Sequence, residues 1–165
     1  MSLLTLVVPL LPIIYEDFRY RAIHWFWIAL LSMLLCLVYP INWHFTLINM
    51  GLLCIQMCGL TAYFSWKNKQ LTNIVNRYIG LGDLVFFLPT CALFAPFAFL
   101  MYFIIGCSFS LLCFLLYRQW NQSVQNSIPL AGGMAMVLIA FVLLDLLAIV
   151  KMKDDLFYFQ IFFST

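Results

Sequence analysis

Long apolar segments separated by short polar ones dominate the pattern of this chain. Between Arg21 and Lys67 there are 45 residues without a formal charge, and between Asp83 and Arg118 there are 34. A helix needs about 20 apolar residues to cross the hydrocarbon core of a membrane. The first segment is therefore long enough for two spans, whereas the second is short for two. The pattern predicts an all-α membrane protein.

Prolines and interfacial aromatic residues divide the apolar segments into six predicted transmembrane helices. Because 34 residues must supply helices 4 and 5, helix 4 is expected to be short, tilted or broken near Pro89. Pro129 is expected to open the last helix, since proline suits a first turn. The segment 67–77 is the longest polar stretch and is predicted to be a loop. The predicted helices are 2–16, 23–39, 43–66, 83–95, 97–117 and 128–150, in a single polytopic transmembrane domain over residues 1–165.

Composition strengthens the membrane assignment. Only 8% of the residues are charged, 66% are hydrophobic and the mean hydropathy is +1.06, whereas soluble domains average about 25% charged residues. An unusually apolar soluble bundle would need polar stripes at helical spacing, and the long apolar runs have none. A net charge of +2 does not indicate a nucleic acid partner. The partner that composition indicates is the lipid bilayer.

The distribution of basic residues predicts the orientation. Six of the eight fall in the loops after helices 1, 3 and 5, and two, Lys151 and Lys153, follow helix 6. Since cytoplasmic loops carry the excess of lysine and arginine, the odd-numbered loops are expected in the cytoplasm, which places both termini outside. The six residues are Arg19, Arg21, Lys67, Lys69, Arg77 and Arg118.

The first segment and the cysteines add little chemistry. Residues 1–15 have neither a basic region before the apolar stretch nor a small-residue cleavage site after it, so they are expected to form a retained first span. Cys54 and Cys58 share a helix face with His44 on the same segment, which allows a metal site. Buried cysteines usually behave as small hydrophobic residues, however. No metal and no cofactor is expected.

Carboxylates at membrane depth are the strongest candidates for function, because they are costly there. Asp17 and Asp83 are both predicted at the cytoplasmic ends of their helices. Each also has a structural explanation: Asp17 as a charge balanced by Arg19 and Arg21, and Asp83 as the N-cap of helix 4. Asp145, near the outer end of helix 6, is expected to make a local ion pair or a helix–helix hydrogen bond.

The surroundings of Asp83 favour a paired site. Gly80 and Gly82 lower helix propensity and are expected to let the backbone approach another helix closely. Two carboxylates within a few ångströms cannot both ionise readily, so such a pair holds one proton at neutral pH. One member can then act as a base towards water while the other polarises a peptide carbonyl. That chemistry is peptide hydrolysis by an aspartic dyad.

Three segments together resemble the type IV prepilin peptidases, a family of membrane-embedded aspartic peptidases. GLGD at 80–83 resembles the GxGD signature, and 17–23 (DFRYRAI) resembles the D-x-R-x-R-x-I segment that follows helix 1 in that family. Residues 128–133 (IPLAGG) are similar to the start of the family's last helix. The resemblance is to the short forms, which lack a soluble cysteine-rich insertion.

The resemblance implies a function and a set of site residues. Asp17 and Asp83 would be catalytic, at the cytoplasmic face of a bacterial inner membrane, and the substrates would be prepilin-like proteins cut after a short basic leader. A pilus or secretion assembly would be the wider partner. The residues implied to bind substrate or support the site are Gly80, Gly82, Arg19, Arg21, Pro129, Gly132 and Gly133.

The chain also departs from the family. Val85 stands where members usually carry a lysine, and His24 stands where they usually carry a proline. The soluble insertion that accompanies N-methylation in the larger members is absent, so the resemblance does not extend to that activity. The main alternative is a non-catalytic membrane subunit of a secretion, pilus or motility assembly that keeps the fold. A small transporter is a third hypothesis, although the chain has no second inverted half.

Overall fold

A computed structural model describes residues 3–38, 40–69, 80–120 and 129–154. Within these ranges the chain is helical and has no strand, so the prediction of an all-α protein is confirmed. A 3₁₀ turn at Leu3–Leu6 precedes the first helix. The six helices of the described ranges are α1 (Val7–Tyr20), α2 (Trp25–Val38), α3 (Trp43–Asn68), α4 (Leu81–Leu93), α5 (Pro96–Trp120) and α6 (Leu130–Leu146).

Two boundaries differ from the prediction in a way that matters for the site. Helix α1 ends at Tyr20 rather than near residue 16, because Arg21 adopts a left-handed conformation (φ 55°) and stops the helix there. Asp17 therefore lies within α1 and not after it. Helix α6 ends at Leu146 rather than at residue 150, and Ala148 has a positive φ of 55° in the turn that follows.

Several predicted features fall outside the described residues. These are residues 70–79 of the predicted loop between helices 3 and 4, Tyr39 at the end of predicted helix 2, and Ile128 at the start of predicted helix 6. The side chains of Lys67 and Arg118 also lie outside the description, as does Asp155.

The fourth helix is short, as expected. It has 13 residues and is therefore about 20 Å long at ~1.5 Å per residue, less than the ~30 Å thickness of a bilayer core. It is not broken at Pro89, which lies inside the continuous helix. Phe94 is extended (ψ 150°), and α5 begins at Pro96. The chain thus changes direction between α4 and α5 and not within α4.

Two helices are long and apolar enough to cross a membrane. They are Trp43–Tyr63 within α3 and Pro96–Tyr117 within α5. Helices α2, α4 and α6 are apolar but shorter. The described part of the chain therefore contains two candidate membrane spans.

Helix α6 lies at the centre of the fold and packs mainly against α1 and α5. Its first half is buried on most sides, including Ala131, Met134 and Leu138. A Cβ atom added at Gly133 would lie 2.6 Å from the Cβ of Ser110 on α5. The backbones of α5 and α6 therefore approach closely at this point. The Ser110 hydroxyl also donates a hydrogen bond of 2.8 Å to the Pro129 carbonyl.

Helix α1 carries its buried residues along one stripe. Leu10, Ile13 and Asp17 of α1 are buried, as is Leu6 at the end of the preceding 3₁₀ turn, and their spacing of four, three and four residues places them on one face. Asp17 continues an otherwise apolar stripe that faces the core. Its position is therefore an internal one, although it lies near the end of the helix.

The end of the bundle at which α6 finishes is held together by the chain that follows α6. We call this side, built from the α4–α5 connection and residues 147–153, the Met152 end. Met152 is fully buried, its carbonyl accepts a hydrogen bond of 2.8 Å from the Ala95 N–H, and its own N–H donates to the Asp145 carboxylate at 3.2 Å. Lys153 Nζ donates to the Pro40 carbonyl at 2.6 Å. Asp145 thus bonds to the segment that follows its own helix.

Candidate active site

The first turn of α6 exposes backbone donors that its own sequence does not satisfy. The first N–H groups of an α-helix lack intrahelical partners, and the residue before α6 is Pro129, whose side chain makes no capping hydrogen bond. Two side chains from other helices take this place. The Gly132 N–H donates to Asp17 Oδ2 at 2.5 Å, and the Ala131 N–H donates to Asp83 Oδ1 at 3.0 Å.

These contacts bring two distant carboxylates to the same turn of a helix. Asp17 lies 115 residues from Gly132 in the sequence, and Asp83 lies 48 residues from Ala131. Because the two donors are consecutive amides, the carboxyl groups lie side by side. The positive end of the α6 dipole stabilises negative charge here, whereas two adjacent negative charges repel each other. An arrangement of this kind favours one shared proton. We call this side of the bundle the aspartate end.

Asp83 divides its two oxygens between two helices. Its Oδ2 accepts a hydrogen bond of 3.1 Å from the Gly80 N–H, while Oδ1 reaches Ala131 of α6. Gly80 is the N-cap of α4, and Asp83 is the third residue of the helix. The structural explanation that Asp83 is the N-cap residue of helix 4 was therefore wrong, because the N-cap is Gly80. Asp83 does stabilise the start of α4, but from inside the first turn.

Asp17 is the more enclosed of the two carboxylates. Its residue is only 5% exposed. Arg21, in the turn after α1, is close enough to attract the Asp17 carboxylate electrostatically. The neighbouring Phe18 ring covers Gly132 from the same side, since a Cβ added at Gly132 would lie 3.0 Å from two of its ring carbons. The Asp17 side of the site is thus closed by Phe18 and by the helix to which Asp17 bonds.

Two of the predicted glycines leave room for the carboxyl groups. A Cβ at Gly80 would lie 3.2 Å from Asp83 Oδ2, and a Cβ at Gly132 would lie 3.0 Å from Asp17 Oδ2. A Cβ at Gly82 would meet Ile23 at 3.6 Å, an ordinary contact. Gly80 thus makes room for Asp83 and Gly132 for Asp17, whereas Gly82 packs against the turn after α1.

Three further predicted residues contact groups other than the carboxylates. Arg19 is exposed, bonds to the Tyr15 hydroxyl, and lies over the Tyr15 and Tyr20 rings at 5.5 and 5.4 Å. Gly133 packs against Ser110 and not against the aspartates. Pro129 marks the start of α6 and accepts the Ser110 hydrogen bond. Their contacts support the fold around the site.

An apolar cavity of about 370 Å³ lies beside the site. Phe18 belongs both to its lining and to the cover over Gly132. Phe18 therefore contacts both the cavity and the turn of α6 that binds Asp17. The other lining residues come from the end of α5: Cys113, Leu116, Tyr117 and Gln119.

The chemistry of the site is that of carboxylates and backbone donors. Within the described ranges, no three side chains of histidine, cysteine, aspartate or glutamate are grouped as a metal site would require. Paired carboxyls can act as general acid and general base towards a bound substrate. Searches of family models, curated proteins and solved structures found no match to this chain.

Proposed function

We propose that this chain is a multi-pass membrane aspartic endopeptidase that cleaves the leader peptides of prepilin-like proteins. The observation that supports this most is the convergence of Asp17 and Asp83 on consecutive amides of α6. These are the two aspartates of the segments that resemble type IV prepilin peptidases. A pair held in this way has the proximity that acid–base catalysis needs.

The proposed reaction uses the pair as one unit. The ionised carboxylate removes a proton from a water molecule, and the water oxygen forms a bond to the carbonyl carbon of the scissile peptide. The protonated carboxyl donates its proton to the carbonyl oxygen as charge develops there. The carbon–nitrogen bond then breaks as the leaving amine takes the proton that the first carboxyl received from water. The second carboxyl recovers its proton from the hydroxyl of the tetrahedral intermediate, so the pair returns to its starting state. The α6 amides keep both carboxyls oriented throughout these steps.

The proposed arrangement in the membrane is six spans with both termini outside. It is supported by the distribution of charge over the two ends of the bundle. Arg19 and Arg21 lie at the aspartate end, whereas Lys151 and Lys153 lie at the Met152 end. The shorter helices can be accommodated by local thinning of the bilayer, at a modest cost per ångström of mismatch. The site would then open to the cytoplasm of a bacterial inner membrane.

Labelling of single cysteines from either side of the membrane tests this orientation. A cysteine at Lys69 is expected to react only after the membrane is permeabilised, and a cysteine at Lys151 to react with an impermeant reagent in intact cells. Controls without the added cysteine account for the six native ones. The opposite pattern would refute the proposed orientation and place the aspartates outside.

The cavity beside Phe18 supports binding of a peptide with an apolar side chain near the cleaved bond. Its lining is mainly apolar, and its volume of about 370 Å³ exceeds that of one side chain. Movement of the Phe18 ring would connect the cavity with Asp17. A substrate that fills the cavity could thus reach the carboxyl pair from the α5 side.

The alternative of a non-catalytic membrane subunit is favoured by one observation. The two aspartates together accept hydrogen bonds from Gly80, Ala131 and Gly132, and so stabilise the starts of α4 and α6. A scaffold could keep them for that reason alone. The absence of the family's usual lysine, where Val85 stands, is also compatible with a protein that has lost activity.

Co-expression with a prepilin-like substrate distinguishes the two proposals. Asp17→Asn and Asp83→Asn each keep an oxygen that can accept the α6 amide, but remove the ionisable acid. Each should abolish leader cleavage and leave membrane insertion intact. Cleavage by the unchanged protein should fall at high pH, because loss of the shared proton removes the acid. Asp145→Asn is the matched control and should cleave normally. Full cleavage by either dyad variant would favour the subunit.

A further inference from the structure

A third carboxylate, Glu16, lies next to Asp17 in the sequence and accepts three contacts from the start of α2. Its Oε2 accepts the His24 N–H at 3.0 Å, and its Oε1 accepts the Trp27 indole N–H at 3.1 Å. The His24 ring nitrogen Nδ1 lies 2.9 Å from Oε1. The Glu16 side chain is only 14% exposed, whereas that of His24 is 76% exposed. Glu16 is therefore the enclosed centre of this cluster.

The cluster fixes the turn between α1 and α2. His24 directly precedes α2, which begins at Trp25, so its N–H is one of the donors that a helix start leaves unsatisfied. A carboxylate at this point also interacts favourably with the helix dipole. Glu16 belongs to α1, and its bonds to His24 and Trp27 tie the last turn of α1 to the first turn of α2. The intervening residues are thereby held in one conformation.

That turn supports the segment from which Asp83 projects. The side chain of Ile23, adjacent to His24, packs against Gly82, adjacent to Asp83. A Cβ at Gly82 would lie 3.6 Å from Ile23 Cδ1 and 3.7 Å from Ile23 Cβ. A continuous series of contacts thus runs from Glu16 through Ile23 to the start of α4. Asp83 is held by α6 on one side and by this turn on the other.

We infer that Glu16 is a positioning residue for the aspartate pair: its carboxylate holds the α1–α2 turn so that Ile23 supports Gly82 and places Asp83 against α6. The catalytic consequence of this inference rests on the proposed function, but the positional one does not. Glu16 neither takes part in proton transfer nor contacts the substrate. Its effect reaches Asp83 through the packing of Ile23.

A disulfide tests the positional part directly. Cysteines at Ile23 and Gly82 would have Cβ atoms about 3.7 Å apart, within the range of about 3.5–4.5 Å that disulfides require. Ile23→Cys/Gly82→Cys in the full chain should therefore cross-link readily under mild oxidation. Adding Glu16→Ala should remove most of the cross-link, and adding Asp145→Asn should leave it unchanged. Each single cysteine variant controls for pairing with native cysteines.

Kinetics test the catalytic part. Glu16→Ala is expected to lower kcat about 10- to 100-fold with little change in KM, because a misplacement of about 1 Å can cost on the order of 10²-fold. Glu16→Gln keeps one acceptor oxygen and should restore part of the loss. His24→Ala removes only the ring contact and keeps the backbone donor, so its effect should be smaller than that of Glu16→Ala. A graded series of this kind would not arise from a general loss of protein.

The two readouts separate the possible failures. An unchanged cross-link in Glu16→Ala, or in Glu16→Gln if the alanine variant does not insert, would overturn the inference. A normal kcat in Glu16→Ala would overturn it as well, wherever the unchanged enzyme is active. If the cross-link is lost as expected but no variant, including the unchanged chain, cleaves substrate, then the proposed function fails while the positional role of Glu16 stands.

Discussion

Both ends of the bundle use aspartate to bind backbone N–H groups, but they do so over very different distances along the chain. At the Met152 end, Asp145 accepts from Met152, seven residues away, and Lys151 pairs with Asp154 at 3.9 Å. At the aspartate end, Asp17 and Asp83 come from two helices and meet on a third, with separations of 115 and 48 residues. The first end ties down a neighbouring segment, and the second assembles a site.

The two ends differ in whether the partners of the aspartate are close to it in the sequence. Asp145 accepts a hydrogen bond from Met152 and attracts Lys153 electrostatically, and both partners follow it closely in the sequence. Asp17 is buried at the end of an apolar stripe, beside a second carboxylate. Bringing two like charges together is unfavourable. A carboxylate pair built from distant segments therefore indicates function more strongly than a local one.

The largest effect is expected when either member of the pair is changed. Asp17→Asn and Asp83→Asn should each lower the rate of leader cleavage by a factor on the order of 10³ or more, and the double variant should be no slower than either, since the pair acts as one unit. Initial rates in isolated membranes measure this. A double variant whose loss equals the product of the single losses would mean that the two aspartates act independently, and the contrast between the two ends would weaken.

A smaller effect is expected from the glycine that accommodates Asp17. Gly132→Ala places a methyl group 3.0 Å from Asp17 Oδ2 and from the Phe18 ring, and the resulting shift should lower the cleavage rate about 10- to 100-fold. Gly82→Ala is the matched control. Its methyl group makes only an ordinary contact at 3.6 Å, so the rate should stay within about a factor of three. A larger loss of rate in Gly82→Ala than in Gly132→Ala would show that the tight packing around the carboxyl pair lies on α4 and not on α6.

Glycine-to-alanine substitutions should have opposite effects on the free energy of unfolding at the packed start of α6 and on the outer face of α3. Gly133→Ala would place a methyl group 2.8 Å from the Ser110 Cα and should lower the free energy of unfolding by about 1–3 kcal/mol. Gly59→Ala, with no atom within 4 Å of the added methyl group, should raise it by roughly 0.5–1 kcal/mol through helix propensity. Denaturation of the purified protein in micelles measures both. Equal effects would mean that α5 and α6 are not in close contact.

The smallest effect is expected at the Met152 end. Asp145→Asn keeps the oxygen that accepts the Met152 N–H and loses only the charge, so the free energy of unfolding should fall by less than about 1 kcal/mol. Leader cleavage should be unchanged. The same unfolding assay and the same initial rates provide the measurement. A loss of activity as large as that of Asp83→Asn would remove the distinction between the two ends.

Much of the helical framework could be predicted because it depends on local pattern. The spacing of charges indicated six helices and a short fourth one. The end of α1 was misplaced because the charged run from Glu16 to Arg21 looks like a loop, whereas the helix continues until Arg21 adopts a positive φ. The stripe of Leu6, Leu10 and Ile13 would have pointed to Asp17 as the next inward-facing position, and this signal was present in the sequence.

The site itself was only partly predictable. The two aspartates could be selected as costly charges in family-like segments, but their shared contact is with main-chain amides of Ala131 and Gly132, which carry no side-chain signature. Gly80 and Gly132 make room for the two carboxyl groups and Gly82 does not, because only the packing shows which glycine faces a carboxylate. Glu16 was overlooked because its partners lie across a turn whose conformation the residue types alone do not specify.

The use of main-chain amides at the start of α6 has a consequence for how this site can change in evolution. Every amino acid except proline supplies the same N–H, so drift at Ala131 leaves the hydrogen bond to Asp83 available. At position 132 the backbone N–H is also present whatever the residue type, but any side chain there would come too close to Asp17 and Phe18. Ala131 is itself only 1% exposed, so packing limits that position to small side chains. Divergent relatives are expected to keep a small residue at position 131 and glycine at position 132.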